Sequence, residues 1–414
     1  MMKSSIKEVC AREILDSRGN PTVEATVELE DGSCGTAAVP SGASVGKYEA
    51  HEKRDGDPDY YGGKGVRGAV EAIRVEISRE IIGKDARDQR RIDEAMIELD
   101  GDKNKSRLGA NAILAVSVAT ARAAAAHHGL PLYKYLGGAR AVHMPIPMMN
   151  ILNGGAHAKN NVEIQEFMIV PCGSPTSADA VRECVDVYRQ LGRILEKRGL
   201  ATGIGDEGGY APDLSSDEEA CELICEAIEA AHLGGKMKLA LDVAASEWYT
   251  ENGYLLPKTH KKRDTGELID YYRGLIRSYP IISIEDGVGE TDYDGWRELT
   301  NALGSEILLV GDDLFVTSIA RLEMGVNLRI ANSILIKPNQ IGTLTETLGV
   351  MDLATRHGYV NIVSHRSGET SDDLIADLAV ATGASYIKAG APARGERVAK
   401  YNRLMAIEGE ISRG

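Results

Sequence analysis

The sequence predicts an α/β protein in which a TIM-like β/α barrel with irregular first units follows a smaller α+β N-terminal domain. In the C-terminal half, short apolar runs separated by helical stretches each end in a charged residue, as barrel strands with a functional rim do. The N-terminal part instead opens with alternating strand patterns and then becomes helical. The 414 residues also exceed the roughly 250 of one barrel, which leaves room for a second domain.

Residues 1–135 are predicted to form the α+β domain. Residues 22–29 alternate between apolar and polar side chains, which indicates a half-buried antiparallel strand. The pair Asp31-Gly32 predicts a hairpin turn into a second strand over residues 35–39.

The rest of this domain is predicted to be loop and helix. A Gly- and Ser-bearing loop occupies residues 40–46. The alanine-rich segment 109–128, followed by Gly129, predicts a long helix.

Residues 136–414 are predicted to form the barrel. A linker with paired glycines and prolines at its ends, residues 137–147, marks the boundary. Residues 145–170 give two strand-like stretches around a loop before any helix, and regular alternation starts only at Lys238. The first barrel units are therefore expected to be irregular.

One barrel helix has clear end signals. Ser216 with Glu219 predicts a capping box at its start, and Gly234 predicts its end.

The strand ends supply the candidate functional residues. Because the active site of a β/α barrel lies at the carboxyl ends of its strands, these side chains are expected to converge in one pocket. They are Asp242, Glu285, Asp312, Lys337, His365 and Lys388.

Three of these residues, Asp242, Glu285 and Asp312, are candidate metal ligands. Two unit charges about 4 Å apart repel by about 4 kcal/mol at an effective dielectric of about 20, so such a triad is costly unless a cation lies between its members. An all-oxygen set without Cys or His selects a hard divalent ion, and room for water and substrate favours Mg²⁺ over Ca²⁺. Salt bridges from lysines or arginines would neutralise the same acids, and the sequence leaves this alternative open.

Lys337 is a candidate general base. It ends an apolar strand, which places its stem against the barrel core. A desolvated lysine near a metal or a second cation such as Lys388 is expected to have a pKa lowered from about 10.4 toward the range of a base. The other interpretation is a lysine that neutralises the acid cluster, and one group could do both.

Two further acids are candidates for proton transfer. Glu207 lies in the loop Gly205-Asp-Glu-Gly-Gly209, and Glu166 lies at a strand end. Residues 203–208 match the GxGxxG spacing, but they follow a helix instead of a strand and would turn two acids toward the phosphates, so a dinucleotide loop is rejected. Two carboxylates facing a metal and a lysine suit acid and base roles, although either could equally be a structural rim acid.

The segment His365-Arg366-Ser367 predicts an anion site. It joins an imidazole, a forked guanidinium and a hydroxyl at a strand-end turn, for which phosphate or carboxylate is the natural ligand.

Composition excludes several classes of partner. The formal net charge of −15 argues against a nucleic-acid or anionic-membrane partner, which requires a basic face, and fits a cytosolic protein. No apolar run approaches the roughly 20 residues of a membrane span. The short basic stretch 258–263 is expected to be a solvated loop.

The six cysteines lack a CxxC pair and predict reduced thiols, with Cys221 and Cys225 as buried thiols and not a metal pair.

Ten motifs, in order along nearly the whole chain, resemble those of the enolase family, which dehydrates 2-phosphoglycerate to phosphoenolpyruvate. Ten ordered motifs are specific, whereas one alone would not be. The motifs are Val39-Pro-Ser-Gly-Ala-Ser44, Asn153-Gly-Gly-Ala-His157, Gln165-Glu-Phe-Met168, Gly205-Asp-Glu-Gly-Gly209, Ala240-Leu-Asp-Val-Ala-Ala-Ser-Glu247, Ser283-Ile-Glu-Asp286, Val310-Gly-Asp-Asp-Leu314, Lys337-Pro-Asn-Gln-Ile-Gly342, Val363-Ser-His-Arg-Ser-Gly-Glu-Thr370 and Ile387-Lys-Ala-Gly-Ala-Pro-Ala-Arg394.

The resemblance implies a role for each matching residue. Lys337 would remove the C2 proton, and Glu207, helped by Glu166, would protonate the departing C3 hydroxyl. Two Mg²⁺ ions are implied, one held by the three rim acids and a second ligated by Ser41 on its mobile loop. The implied metal ligands are Asp242, Glu285, Asp312 and Ser41. The implied substrate contacts are His157, Gln165, Glu166, Glu285, Asp312, Lys337, Arg366, Ser367 and Lys388.

Two alternatives to this function are less consistent with the residues present. A racemase or cycloisomerase of the same superfamily is disfavoured because the phosphate-side residues are all present. A non-catalytic binding role would permit loss of Lys337 or Glu207, and both are intact. The resemblance also implies a small phosphorylated hydroxy acid as substrate, a homodimer or larger homo-oligomer and a cytoplasmic location.

Overall fold

The computed structural model describes residues 3–42 and 46–413, and it has the α/β architecture that the sequence predicts. Its N-terminal strands form one antiparallel sheet in the order β1-β2-β3. These strands are β1 (Ile6–Leu15), β2 (Pro21–Leu29) and β3 (Cys34–Ala38). The alternation and hairpin predicted for β2 and β3 are confirmed, whereas β1 was not predicted as a separate strand. Residues 43–45 of the predicted loop lie outside the described residues.

Helices cover one side of this sheet. They are α1 (Arg67–Glu71), which continues through a π-helical segment (Ala72–Ile77) into α2 (Ser78–Ile81), then α3 (Gln89–Asp100), α4 (Ala110–His127) and α5 (Leu132–Gly137). The predicted alanine-rich helix is confirmed as α4. A Cβ at Gly35 on β3 would lie 2.2 Å from the carbonyl oxygen of Ala119 on α4. Glycine at position 35 therefore allows β3 and α4 to approach more closely than any other residue would.

Eight strands close into the barrel. They are β4 (Ile146–Asn153), β5 (Glu166–Pro171), β6 (Met237–Asp242), β10 (Ile281–Glu285), β11 (Leu308–Gly311), β12 (Ser333–Ile336), β13 (Val360–Ser364) and β14 (Tyr386–Lys388). The ring is not wholly parallel, because β5 runs antiparallel to both β4 and β6. No α-helix joins β4 to β5, and a parallel return needs a crossover connection that is usually helical. The predicted irregular start is confirmed.

The remaining elements surround the barrel. The helices are α6 (Ser177–Lys197), α7 (Asp217–Ala230), α8 (Thr265–Ser278), α9 (Tyr293–Leu303), α10 (Ile319–Leu328), α11 (Pro338–Ile341), α12 (Leu344–Arg356), α13 (Leu374–Thr382) and α14 (Gly395–Ile411). A small sheet contains β7 (Tyr249–Thr250), β8 (Gly253–Leu255) and β9 (Lys262–Arg263). The basic stretch 258–263 is therefore partly a strand, although most of it is exposed as predicted. Across residues 3–42 and 46–413, no helix combines the length and apolarity needed to cross a bilayer.

Two end signals of α7 differ from the prediction. The Ser216 hydroxyl accepts a hydrogen bond from the Glu219 backbone N–H, as expected. In a capping box the Glu219 carboxylate would accept from the backbone N–H of Ser216. Here it accepts from the backbone N–H and the hydroxyl of Ser215, the preceding residue. The helix ends at Ala230, and His232 rather than Gly234 adopts the left-handed conformation, with φ of 58°.

The cysteines agree with the sequence prediction except at Cys225, which was predicted to be buried. All six are free, and Cys184 and Cys221 are buried, whereas Cys225 is half-buried. Burial raises the pKa of the Cys221 thiol well above its ordinary value, which keeps it protonated and unreactive.

A buried ion pair joins the N-terminal sheet and α4 to the barrel. Arg122 of α4 donates to both carboxylate oxygens of Asp372, at 2.6 and 2.8 Å. Asp372 also accepts from the backbone N–H of Ala38 on β3 and of Leu374 on α13, each at 2.9 Å. Burial raises the pKa of Asp372, but Arg122 outweighs it and holds the pKa below its usual value. One carboxylate thus ties α4, β3 and the start of α13 together.

Substitution Asp372→Ala is expected to lower the free energy of unfolding by roughly 3 kcal/mol, because it leaves buried donors without their acceptor. Urea denaturation followed by circular dichroism measures the loss. Glu94→Ala is the control, since the pair Arg90–Glu94 is 79% and 51% exposed and is expected to contribute only about 0.3–0.5 kcal/mol. Equal losses in the two variants would contradict the prediction.

A second buried acid fixes the segment that leads into β5. Asp217, the first residue of α7, accepts from the backbone N–H of Glu163 and of Ile164 at 2.9 and 3.1 Å, and from the Tyr271 hydroxyl at 3.0 Å. Burial raises the pKa of Asp217 to about 6. Its side chain thereby anchors the backbone immediately before Gln165.

The raised pKa predicts a pH-dependent stability. Since the folded state binds this proton more tightly, the contribution is full below the unfolded pKa of about 3.9 and is lost as the pH rises through about 6. Asp217→Asn imitates the protonated acid, so the stability of the variant relative to the parent is expected to rise by roughly 3 kcal/mol between about pH 4 and pH 7. Urea titrations across this range measure it. Asp294→Asn, 86% exposed in the parent, is the control, and a pH-independent difference for Asp217→Asn would refute the assignment.

Candidate active site

The carboxyl-end rim of the barrel brings most of the predicted residues together. Glu166 of β5 pairs in register with Asp242 of β6, and Asp242 pairs with Glu285 of β10. Glu166 is the first residue of its strand, so it reaches this rim only because β5 runs antiparallel. Asp312 and Lys337 directly follow β11 and β12, and Lys388 ends β14.

The Lys388 ammonium forms ion pairs with three carboxylates at once. Its Nζ lies 2.8 Å from Glu285 Oε2, 3.1 Å from Asp242 Oδ2 and 3.2 Å from Glu166 Oε2. Burial lowers the pKa of Lys388, but the surrounding carboxylates outweigh it and raise the pKa well above its ordinary value. Lys388 is therefore a permanent positive charge and not a base.

Lys337 differs from the expectation in its protonation. Its buried Nζ donates to Asp312 Oδ2. Burial lowers the pKa of Lys337, as expected, but the Asp312 carboxylate outweighs burial and raises the pKa above its ordinary value. The lowered pKa predicted for Lys337 is therefore wrong for this arrangement. The reason is the direct pairing of Lys337 with Asp312, which the sequence did not reveal.

The three predicted metal ligands offer only oxygen atoms. Asp242 accepts from the backbone N–H of Ala244 at 3.1 Å, and Asp312 accepts from Gln340 Nε2 at 3.0 Å. Glu285 Oε1 is buried and has no hydrogen-bond partner among the residues that the structure describes. A buried carboxylate oxygen without a donor is costly unless a cation compensates it, so these residues fit a hard divalent ion. The lysines that pair with them also match the alternative of rim salt bridges.

Ser41 does not lie with these acids. Its hydroxyl donates to Glu52 at 3.0 Å and accepts from Arg54 at 2.9 Å, and its backbone pairs with Gly368. A metal role for Ser41 requires its side chain to leave both partners.

A second cluster contains His157, Glu166 and Glu207, whose nearest ligand atoms lie within 4.8 Å of one another. Burial raises the pKa of Glu166 well above its usual value, and the Glu207 charge adds to the rise. Burial also raises the pKa of Glu207, but the facing imidazoles of His365 and His157 outweigh it, so this pKa lies well below its ordinary value. The two acids therefore differ in acidity, and Glu207 gives up its proton more readily than Glu166.

The predicted anion-binding residues line the same cleft. Arg366 is buried and donates to both carboxylate oxygens of Glu49, at 2.9 and 3.2 Å. Ser367 follows it, and Gln165 donates to Asp242 Oδ2 at 3.3 Å. The same cleft is lined by Glu166, Glu207, Lys337 and Lys388.

Several residues in or beside this cleft were not predicted. Glu49 pairs with Arg366, and Asn150 donates to Glu207 Oε2 at 3.0 Å. His365 was predicted only as part of the anion site, yet its Nε2 lies 3.3 Å from Glu207 Oε2. Asn150 had a usable signal, since a polar residue interrupts an apolar strand, whereas Glu49 lies in a polar loop that offered none.

Comparison with known proteins agrees with these motifs. The family model "Enolase, N-terminal domain" matches residues 6–136, and "Enolase, C-terminal TIM barrel domain" matches residues 141–414. An enolase of Acidothermus cellulolyticus is 59% identical over 408 residues, covering 98% of this chain and 94% of the relative. An enolase of Kineococcus radiotolerans is 56% identical over 410 residues, covering 99% and 95%. The chain therefore belongs to the enolase family.

Proposed function

We propose that Lys337, Glu207 and Glu166 carry out the chemistry of this chain, which as an enolase is a hydro-lyase that dehydrates 2-phospho-D-glycerate to phosphoenolpyruvate. One observation carries the assignment. In the order of the closed barrel, β5 with Glu166 and β12, which leads into Lys337, are four strands apart and thus diametrically opposite. A base and an acid on opposite walls can act on opposite faces of one bound substrate.

Lys337 takes the first step and Glu207 the second. The amine of Lys337 removes the C2 proton, and the electron pair of the C2–H bond moves into the adjacent carboxylate. The C3–O bond then breaks as Glu207 delivers a proton to the departing hydroxyl, which leaves as water while the C2–C3 double bond forms. Glu166, which lies in the same cluster as Glu207, assists this step.

The family depends on Mg²⁺, and we propose that Asp242, Glu285 and Asp312 hold one ion and that Ser41 contributes to a second. When bound, Mg²⁺ stabilises the negative charge that develops on the substrate carboxylate. The Asp312 charge that holds the Lys337 proton is the charge that a cation would neutralise. Asp312 thus links metal binding to the basicity of Lys337.

The remaining cleft residues bind the substrate in this proposal. Arg366, Ser367 and His157 would contact the phosphate, and Lys388 and Gln165 would contact the carboxylate; all five line the cleft. A homodimer or larger assembly, a cytoplasmic location and the domain boundary between residues 135 and 136 stay predictions.

Turnover is expected to require metal. Phosphoenolpyruvate absorbance should rise when the chain receives 2-phosphoglycerate with Mg²⁺, stop on addition of a chelator and return with excess Mg²⁺, because the developing dianion needs positive charge. Glu94→Ala, distant and exposed, serves as the activity control. An inactive metal-replete protein would contradict the proposal.

The two proton-transfer steps are expected to separate by mutation. Lys337→Ala should abolish exchange of the C2 proton with solvent, whereas Glu207→Gln should lower dehydration by about 10²- to 10⁴-fold yet retain some exchange. Proton NMR in D₂O measures exchange, and absorbance measures dehydration. Intact exchange in Lys337→Ala would refute the base assignment.

A further inference from the structure

Arg397 of α14 is fully buried and reaches the loops that carry the acid side of the cleft. Its guanidinium lies 2.5 Å from His365 Nδ1 and donates to the carbonyl oxygens of Arg366 at 2.5 Å, Ser367 at 2.6 Å and Asp206 at 3.2 Å. Gly390, with φ of 84°, makes room for it, since a Cβ there would lie 2.7 Å from Arg397 Cδ.

The contact with His365 constrains where the imidazole carries its proton. A guanidinium has five N–H donors and no acceptor, so Nδ1 of His365 must be the unprotonated nitrogen. The proton of a neutral imidazole then lies on Nε2. That atom faces Glu207 Oε2 at 3.3 Å, and within residues 3–42 and 46–413 it makes no hydrogen bond.

His365 is neutral under ordinary conditions, so its tautomer matters. Burial lowers the pKa of His365 to about 4. The charged groups that face it are Glu207 from the acidic loop, Arg397 from α14 and Glu369 from its own loop.

We propose that Arg397 is a positioning residue that holds His365 in the Nε2–H tautomer, so that His365 donates a hydrogen bond to Glu207. A donor that stabilises the carboxylate form makes Glu207 a stronger acid toward the departing hydroxyl. The consequence for catalysis rests on the proposed acid role of Glu207, whereas the tautomer itself does not.

Lys400 offers a matched comparison. It lies one turn further along α14, is equally buried and supports the same loop by donating to Glu369 at 2.8 Å and to the carbonyl oxygen of Thr370 at 2.7 Å. The Lys400 ammonium donates its third hydrogen bond to the carbonyl oxygen of Glu396, and His365 is not among its hydrogen-bond partners in the described part of the chain. Lys400→Met therefore loosens the loop without removing the donor to Nδ1.

The direct test is nitrogen-15 NMR of the full chain labelled at histidine, at neutral pH, with His365 assigned by loss of its signals in His365→Gln. The parent is expected to have a protonated Nε2 and an unprotonated Nδ1. Arg397→Met is expected to lose this pattern, because a thioether has no N–H to donate to Nδ1, whereas Arg397→Lys and Lys400→Met should keep it. A proton on Nδ1 in the parent, or an unchanged spectrum in Arg397→Met, would overturn the proposal.

The kinetic test separates positioning from general support. Arg397→Met is expected to lower dehydration by about 10- to 100-fold while C2 exchange falls much less, and Arg397→Lys should recover most of the loss. If the Arg397 variant lost dehydration and C2 exchange to the same extent, as expected for the loosened loop of Lys400→Met, Arg397 would have only a structural role. That result would overturn its proposed role toward Glu207.

The two tests keep failures distinguishable. The parent spectrum needs no turnover, and His365→Gln serves only to assign its signals, so the spectrum tests the tautomer independently of catalysis. If the parent has the Nε2–H tautomer but Glu207→Gln still dehydrates substrate normally, the acid assignment fails and the catalytic consequence proposed for Arg397 fails with it.

Discussion

The site depends on holding several carboxylates together in a buried place. Glu166, Asp242 and Glu285 come from three adjacent strands in register, and Lys388 reaches all three from β14. Each pair of like charges about 4 Å apart would cost about 4 kcal/mol at an effective dielectric of about 20, so the rim requires a compensating cation. A lysine and a divalent ion are alternative means of meeting this requirement, and the rim has residues for both.

The irregular start of the barrel follows from the same requirement. Because β5 runs against its neighbours, its first residue instead of its last lies at the active rim. The loop before it is fixed by Asp217, and the acidic loop with Glu207 packs beside it. The acid side of the cleft is thus built from the irregular units, whereas the regular β/α units carry Asp312 and Lys337.

Buried cations outside the cleft hold its loops. Arg122 ties α4 and β3 to the segment before α13, and Arg397 and Lys400 tie α14 to the loop that begins at His365. These side chains satisfy backbone carbonyls and carboxylates that would otherwise be buried without partners. The positions of Arg366, Ser367 and His365 consequently depend on a helix that contributes nothing to the cleft wall itself.

The sequence by itself determined the element types, the irregular barrel start and the residues that end the rim strands, because periodicity and strand-end position are local properties of the chain. It also gave the family, through ten ordered motifs. Only the tertiary structure decided which charges meet. The direction of β5, the pairing of Lys337 with Asp312 that reverses its expected pKa shift, the partners of Ser41 and the contacts of Glu49 and Arg397 all join residues far apart in the chain, and their energies depend on distances that no local pattern encodes.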